Sequence, residues 1–204
     1  MAKQTTSVFR KFLGFSTTIG GATILLAAAS LASRFMGLIR DRLLATGFGA
    51  SADLDVYYAA FRIPDFIFQI LILGALSAAF IPVFTGYLAK GEHEEADKVG
   101  SSLLNLATVG LTAAAAVIWI FAPQVVPLIA PGFSAAQLDQ TVELTRIMLL
   151  SPIFFGISGV LGGILNSNNR FLAYATAPLC YNLGIIGGAL LAPQYGLEWL
   201  AYGV

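Results

Sequence analysis

The chain has 204 residues, of which 57% are hydrophobic and 11% are charged, and its mean hydropathy is +0.81. Soluble globular domains carry roughly 25% charged residues, so this composition excludes an ordinary water-exposed surface. Eleven Lys and Arg residues balance eleven Asp and Glu residues, so the chain lacks the basic excess typical of proteins that bind nucleic acid. Lipid is the solvent that suits such a chain.

The charged residues are unevenly spaced and leave five long charge-free intervals. These intervals are 12–33, 66–89, 99–138, 147–169 and 171–197, and each has at least 22 residues. A helix needs about 20 apolar residues to cross the hydrocarbon core of a bilayer. The sequence therefore predicts an all-α polytopic membrane protein with at least five crossings, organised as a single transmembrane domain over 1–204.

The expected helices follow one another with short connections. In chain order they cover 18–47, 56–89, 99–122, 137–165, 171–192 and 197–204. Pro64 and Pro82 are expected to bend the second helix, and the prolines after 122 predict an irregular connection over 123–138. The sixth helix is too short to span a bilayer where the sequence stops, which we interpret as a truncation.

Basic residues predict the orientation of the chain in the membrane. With the N-terminus in the cytoplasm, the cytoplasmic segments carry Lys3, Arg10, Lys11, Lys90, Lys98 and Arg170. The opposite loops, about 47–55, 123–138 and 193–196, contain no Lys or Arg. The positive-inside rule therefore predicts a cytoplasmic N-terminus.

Ionisable residues within membrane helices are costly and point to function. Here they concentrate between residues 34 and 65. Helical geometry places Arg34 and Asp41 on one face with Gly37 beside them, and it turns Arg40 about 120° away from Arg34. A cationic cavity for an anionic substrate is one interpretation, because the arginine fork binds phosphate oxygens with two hydrogen bonds.

The alternative interpretation is structural. Arg40, Asp41 and Arg42 would then anchor the headgroup layer, and Arg62 would pair with Asp65 or Asp55. Glu143 and Arg146, three residues apart, are expected to form an ion pair within one helix. Small-residue spacing at several glycines (Gly156, Gly159, Gly163, Gly184 and Gly188) predicts close helix packing.

An enzyme is not expected from this sequence. One histidine and one cysteine leave no metal cluster and no paired nucleophile and base. Neither a P-loop nor a dinucleotide-binding glycine motif is present. We therefore expect no cofactor, no metal ion and no catalytic residue.

Several stretches in order along the chain resemble the MurJ (MviN) family of the MOP exporter superfamily. They include 32–41, 48–55, 60–64 and 74–83, with weaker similarity at 130–133 and 163–171. The resemblance implies a flippase of lipid II, the undecaprenyl-pyrophosphate-linked peptidoglycan precursor, in the bacterial cytoplasmic membrane. It also implies a fold of fourteen helices in two lobes around a cavity. This chain would supply five helices and the start of a sixth, and the second lobe would be missing.

The resemblance also assigns roles to individual residues. Arg34 and Arg40 correspond to cavity arginines that hold the pyrophosphate head, and Asp55 corresponds to an acidic residue at the start of the second helix. The candidate substrate-binding residues are Arg34, Arg40, Asp55 and Arg62. The candidate residues for bending or supporting the helices are Ser33, Gly37, Asp41 and Pro64.

One departure from the family leaves the cargo open. Phe68, Gln69 and Leu73 stand where many members carry charged residues. The alternatives are therefore another exporter of the superfamily, for a polysaccharide-linked lipid or a drug, and a single-lobe membrane scaffold without transport activity. A drug exporter should place a carboxylate in 66–89 or 99–138, and neither interval has one. The expected partners are lipid II or a related lipid and the surrounding membrane lipids, with no nucleic acid.

Overall fold

The computed structural model describes residues 19–70, 80–168 and 171–204, and these residues are almost entirely helical, without a strand. The helices of the described residues are α1 (Ile19–Phe48), α2 (Ala52–Phe68), α3 (Ile81–Lys90), α4 (His93–Ile129), α5 (Ala135–Met148), α6 (Ser151–Ser167), α7 (Phe171–Tyr195) and α8 (Glu198–Tyr202).

Four described segments are long and apolar enough to cross a membrane. They are Thr23–Phe48, His93–Ile129, Ala135–Ser167 and Tyr174–Tyr195. The third of them joins α5 and α6 across a turn at 149–150. The crossing expected at 56–89 includes 71–79, which lie outside the described residues. The chain is therefore an all-helical, multi-pass membrane protein.

The structure contradicts the irregular connection expected over 123–138. Helix α4 continues through Pro123 and Pro127 and ends only at Ile129. Proline removes one backbone hydrogen bond from a helix, but a helix in an apolar solvent has no favourable unwound alternative. Such a helix persists where neighbouring groups bond the freed carbonyls. A connection does follow, but it covers only 130–134 before α5 begins.

Helix α2 begins earlier than the charge pattern indicates. Ser51 caps its N-terminus by accepting a hydrogen bond from the backbone N–H of Leu54. Asp53 and Asp55 lie in the first turn, where negative charge is favoured by the helix dipole. Pro64 is buried within α2 and does not end the helix. Residues 55–68 consequently lie on one continuous α-helical surface, and 69–70 continue it as a π-helical turn.

The helices pack in two main sets. Helix α1 packs chiefly along α7, whereas α2 packs chiefly on α5, and α4 packs on α6 and α5. One apolar cluster joins α1, α2, α5, α7 and α8 around Leu44, Val56, Met148 and Leu200. A second cluster joins α2, α4 and α5, and a third closes the other end of the bundle around Phe80 and Phe84. This packing brings the polar parts of α1, α2 and α7 to one region.

Glycines on α7 allow the closest approach between helix backbones. A Cβ atom built on Gly184 would lie 2.5 Å from the carbonyl oxygen of Gly203, and one on Gly188 would overlap the carbonyl oxygen of Trp199. The expected role of Gly184 and Gly188 in helix packing is therefore confirmed. Gly163 also packs closely, against the ring of Phe80.

Adjacent glycines on α7 give a matched stability test. Gly188→Ala should lower stability by roughly 1–3 kcal/mol, because α7 and α8 must move apart. Gly187→Ala should be neutral or stabilising by up to about 1 kcal/mol, because Ala is the better helix former and no described atom lies within 4 Å of its Cβ. Thermal unfolding of both variants in detergent measures the difference. Equal effects would contradict the close α7–α8 packing.

Candidate functional site

A buried amide forms the centre of a polar cluster between α1 and α7. Asn182 on α7 is only 6% exposed. Its Nδ2 donates to the Ser33 hydroxyl at 3.0 Å and to the Ser33 carbonyl at 3.2 Å, both on α1. Nδ2 also lies 3.0 Å from the Pro178 carbonyl on its own helix. Asn182 therefore fixes the register between α1 and α7.

Arg40 completes this cluster. Its Nη1 donates to Oδ1 of Asn182 at 3.3 Å, and its Nε and Nη2 each lie 2.9 Å from Oδ1 of Asp41. The Arg40 side chain is 27% exposed. A guanidinium has five N–H donors in a fixed fork, so N–H groups on Nη1 and Nη2 remain available to a ligand. The protein thus orients the guanidinium but leaves some of its N–H groups without a partner among the described residues.

The structure separates two faces of α1. Ser33, Gly37 and Arg40 face α7, and a Cβ on Gly37 would lie 3.9 Å from Oδ1 of Asn182. Arg34 and Asp41 are both exposed, as expected for residues that share a face about 90° away. Arg40 reaches sideways to Asp41, and Gly37 lies on the α7 side with Arg40, not beside Arg34 and Asp41 as expected. A bend at Gly37 that would bring Arg34 and Arg40 to one ligand stays a prediction.

Helix α2 also contributes to the surroundings of Arg40. Tyr57 on α2 is buried in the apolar cluster that also contains Leu44, one turn after Arg40 on α1, and Ala189 on α7. Arg40 therefore lies beside the region where α1, α2 and α7 converge.

The other candidate residues are not part of this cluster. Arg34, Asp55 and Arg62 are exposed, and none of them forms a hydrogen bond or ion pair of its side chain with another described residue. The pairing of Arg62 with Asp65 or Asp55 is thus absent from the described part of the chain. Asp65 instead accepts a hydrogen bond from Gln69 at 2.6 Å.

The uncharged positions 68 and 69 have distinct surroundings. The Phe68 ring packs edge-on against Phe155 with centroids 5.6 Å apart, and Phe155 packs edge-on against Tyr181 at 5.1 Å. Gln69 is exposed and bonded to Asp65. The rings of Phe68, Phe155 and Tyr181 therefore form a continuous series of aromatic contacts, and Tyr181 directly precedes Asn182 on α7.

Other parts of the sequence interpretation lie outside the described residues. These are Leu73 and the 74–79 part of the motif 74–83, the basic residues Lys3, Arg10 and Lys11, and Arg170.

The ion pair expected between Glu143 and Arg146 does not form among the described residues. The Arg146 guanidinium instead lies over the Trp119 ring, 4.6 Å from the ring centroid, and its Nε donates to the Trp119 carbonyl at 3.2 Å. A cation over an indole face and a bond to a carbonyl compete well with a pair that solvent would weaken. Arg146 therefore joins α5 to α4.

Sequence reasoning missed Asn182 because it considered only ionisable groups. The available signal is that Asn182 is the one amide in the interval 171–192, which is otherwise mostly apolar. Amides within membrane helices commonly bond across helices. Its partner Ser33 was among the candidate residues. Ser33, Gly37 and Arg40 are spaced to share one face of α1, but the sequence does not show that α7 packs on that face.

Asn182→Leu should loosen the α1–α7 contact. The variant leaves Ser33 and Arg40 without their shared partner in a buried region, which should cost roughly 1–3 kcal/mol. The matched control is Cys180→Leu on the exposed side of the same helix, which should change stability by no more than about 0.5 kcal/mol. Thermal unfolding in detergent measures both, and an Asn182→Leu effect as small as that of the control would contradict the assigned register.

Comparison with known proteins supplies the family context for this geometry. The family model described as "Lipid II flippase MurJ" matches residues 44–204. A "Probable lipid II flippase MurJ" of Rickettsia prowazekii is 32% identical over 180 residues, which cover 87% of this chain and 35% of the relative. The protein of the same description from Rhizobium tropici is 33% identical over 203 residues, covering 94% and 34%.

A solved structure has a similar fold. It is described as "Lipid II flippase MurJ, inward closed conformation" and matches with a TM-score of 0.73 at 31% identity. The match covers 88% of this chain and 38% of that one. The chain thus spans about a third of the length of the curated relatives it matches.

Proposed function

The chain belongs to the family of the lipid II flippase MurJ, and on this premise we propose that it acts as part of a transporter that flips lipid II across the bacterial cytoplasmic membrane. It is a transporter rather than an enzyme in this proposal. The charged head of the lipid would pass through a cavity while the prenyl tail stays in the bilayer. Alternating access between two lobes supplies the movement.

The observation that carries the proposal is the orientation of Arg40. Asn182 and Asp41 hold its guanidinium beside the region where three helices converge, and some of its N–H groups remain unbonded. An ionisable residue in a membrane helix is expensive and is retained for function by default. Two parallel N–H groups match two phosphate oxygens. The pyrophosphate of lipid II is a ligand of this kind.

The exposed candidates extend the same site in the proposal. Arg34 lies nearly two turns before Arg40 and would add a second cation for the pyrophosphate. Arg62 and Asp55 lie on α2 and would line the cavity from the neighbouring helix. Ser33 and Asp41 would act as supports, since they bond Asn182 and Arg40 respectively. Gly37 leaves room for the Asn182 amide, and Pro64 would bend α2.

The wider architecture is also part of the proposal. The chain would form most of the N-terminal lobe of a fourteen-helix protein, with five crossings and the start of a sixth. Its match to about a third of the length of its relatives supports this arrangement. The bias of Lys and Arg between loops supports a cytoplasmic N-terminus. Its partners would be lipid II, membrane lipids and the second lobe.

Substitution of the arginines tests the site. Arg40→Ala and Arg34→Ala, made in the full-length protein, should each fail to support growth of a bacterium depleted of its own flippase. Loss of a charge-assisted hydrogen bond costs roughly 1.5–3 kcal/mol, so lipid II flipping should fall by at least about tenfold. Arg40→Lys should fall in between, because Lys keeps the charge and loses the fork.

Arg42→Ala is the matched control for Arg40→Ala, because Arg42 carries the same charge on the same helix but points about 160° away from Arg40 and forms no ion pair with the described residues. It should support growth normally at equal protein level in the membrane. Normal growth with Arg40→Ala would overturn the site assignment. Flipping of a polysaccharide-linked lipid but not of lipid II by reconstituted vesicles would overturn the cargo and leave the arginine site standing.

A further inference from the structure

Three described helices, α2, α4 and α7, contain internal prolines, whose missing N–H groups leave carbonyls without their usual partners. A helical proline removes the bond to the carbonyl four residues earlier. Pro64 in α2 thus frees the carbonyl of Ala60, and Pro123 in α4 frees that of Trp119. Water does not reach the hydrocarbon region, so a donor from the protein that reaches a freed carbonyl there stabilises the helix.

Adjacent residues of α5 supply both donors. Nε of Arg146 donates to the Trp119 carbonyl at 3.2 Å. The Thr145 hydroxyl lies 3.5 Å from the Ala60 carbonyl, which is a long and therefore weak hydrogen bond. Neighbouring residues on a helix point about 100° apart, so one turn of α5 reaches two different helices. Each contact falls on the carbonyl that a proline has freed.

The surroundings of both residues support this role. Thr145 is completely buried, and its hydroxyl bonds across to α2 instead of to a carbonyl of its own helix. The Arg146 guanidinium is held over the Trp119 ring, which fixes its position against α4. The position of Arg146 is therefore explained by two contacts within the protein, the Trp119 ring and the Trp119 carbonyl.

We propose that Thr145 and Arg146 are positioning residues that fix the proline-containing helices α2 and α4 to α5 by hydrogen-bonding the Ala60 and Trp119 carbonyls. Through Thr145, α5 sets the register of α2, the helix that carries Tyr57 and Arg62. Through Arg146, α5 sets the path of the last two turns of α4. This role does not depend on which lipid is transported.

The test uses rescue by restoring the missing backbone N–H. Arg146→Met in the full-length protein should lower Tm by roughly 2–4 °C or more, because the Trp119 carbonyl loses its donor. In a Pro123→Ala background the new N–H satisfies that carbonyl, so Arg146→Met should cost much less. Pro127→Ala is the matched control, since it restores a bond to the carbonyl of residue 123 and should give no rescue.

Trp119→Phe distinguishes the cation–π contact from the hydrogen bond to the carbonyl, because it keeps the carbonyl and weakens the cation–π contact. Arg146→Met should remain costly in that background. An equal cost of Arg146→Met with and without Pro123 would overturn the proposal. So would rescue by Pro127→Ala, or loss of the cost in Trp119→Phe, which would assign the whole effect to stacking.

A second cycle tests Thr145 in the same way. Thr145→Val keeps the shape and removes the hydroxyl, and its cost should shrink in Pro64→Ala. If the Pro64 variant does not fold, Thr145→Ser keeps the donor and should retain more stability than Thr145→Val. Equal stability of the Ser and Val variants would overturn the role of Thr145.

Discussion

Every buried polar group in this protein has to find a partner within the protein, because the solvent around its helices offers none. The described side chains meet this requirement: no buried side-chain nitrogen or oxygen among them lacks a hydrogen-bond partner. Asn182 meets it by bonding α1 and its own helix at once. The same requirement links α5 to α2 and α4. Polar contacts thus set the register, while apolar packing sets the proximity of the helices.

Much of the fold follows from where charge is absent. The charge-free intervals 99–138, 147–169 and 171–197 lie mostly within described helices, and the described part of 12–33 lies in α1. A charge-free stretch of this length is long enough to cross a bilayer as a helix. The irregular connection expected after residue 122 was wrong because proline was treated as in a water-exposed helix. In α4 the broken bond is replaced by a side chain more than 20 residues away, and spacing along the sequence does not reveal such a partner.

The site could be predicted in part. Arg40 and Asp41 are charged residues in an apolar helix, and Ser33 and Gly37 precede Arg40 by about two turns and one turn of that helix. Asn182 is separated from Ser33 by 149 positions, so only tertiary packing identifies it as their partner. Helical geometry predicted that Arg34 and Arg40 point in different directions, but it left open which of them faces a neighbour. The answer depends on α7, whose position along α1 is fixed by contacts and not by a local pattern.

Arg40 and Arg146 show why an arginine in a membrane helix does not by itself identify a binding site. Both donate to a neutral oxygen on another helix. Arg146 stacks on an indole, and its partner is a carbonyl freed by a proline, so its contacts explain its presence structurally. Both arginines keep N–H groups without a described partner, so a count of free donors does not separate them. Arg40 is held by a buried amide and a carboxylate at the contact between α1 and α7, whereas an indole ring covers the Arg146 guanidinium, and this difference supports the proposal that Arg40 contacts the substrate.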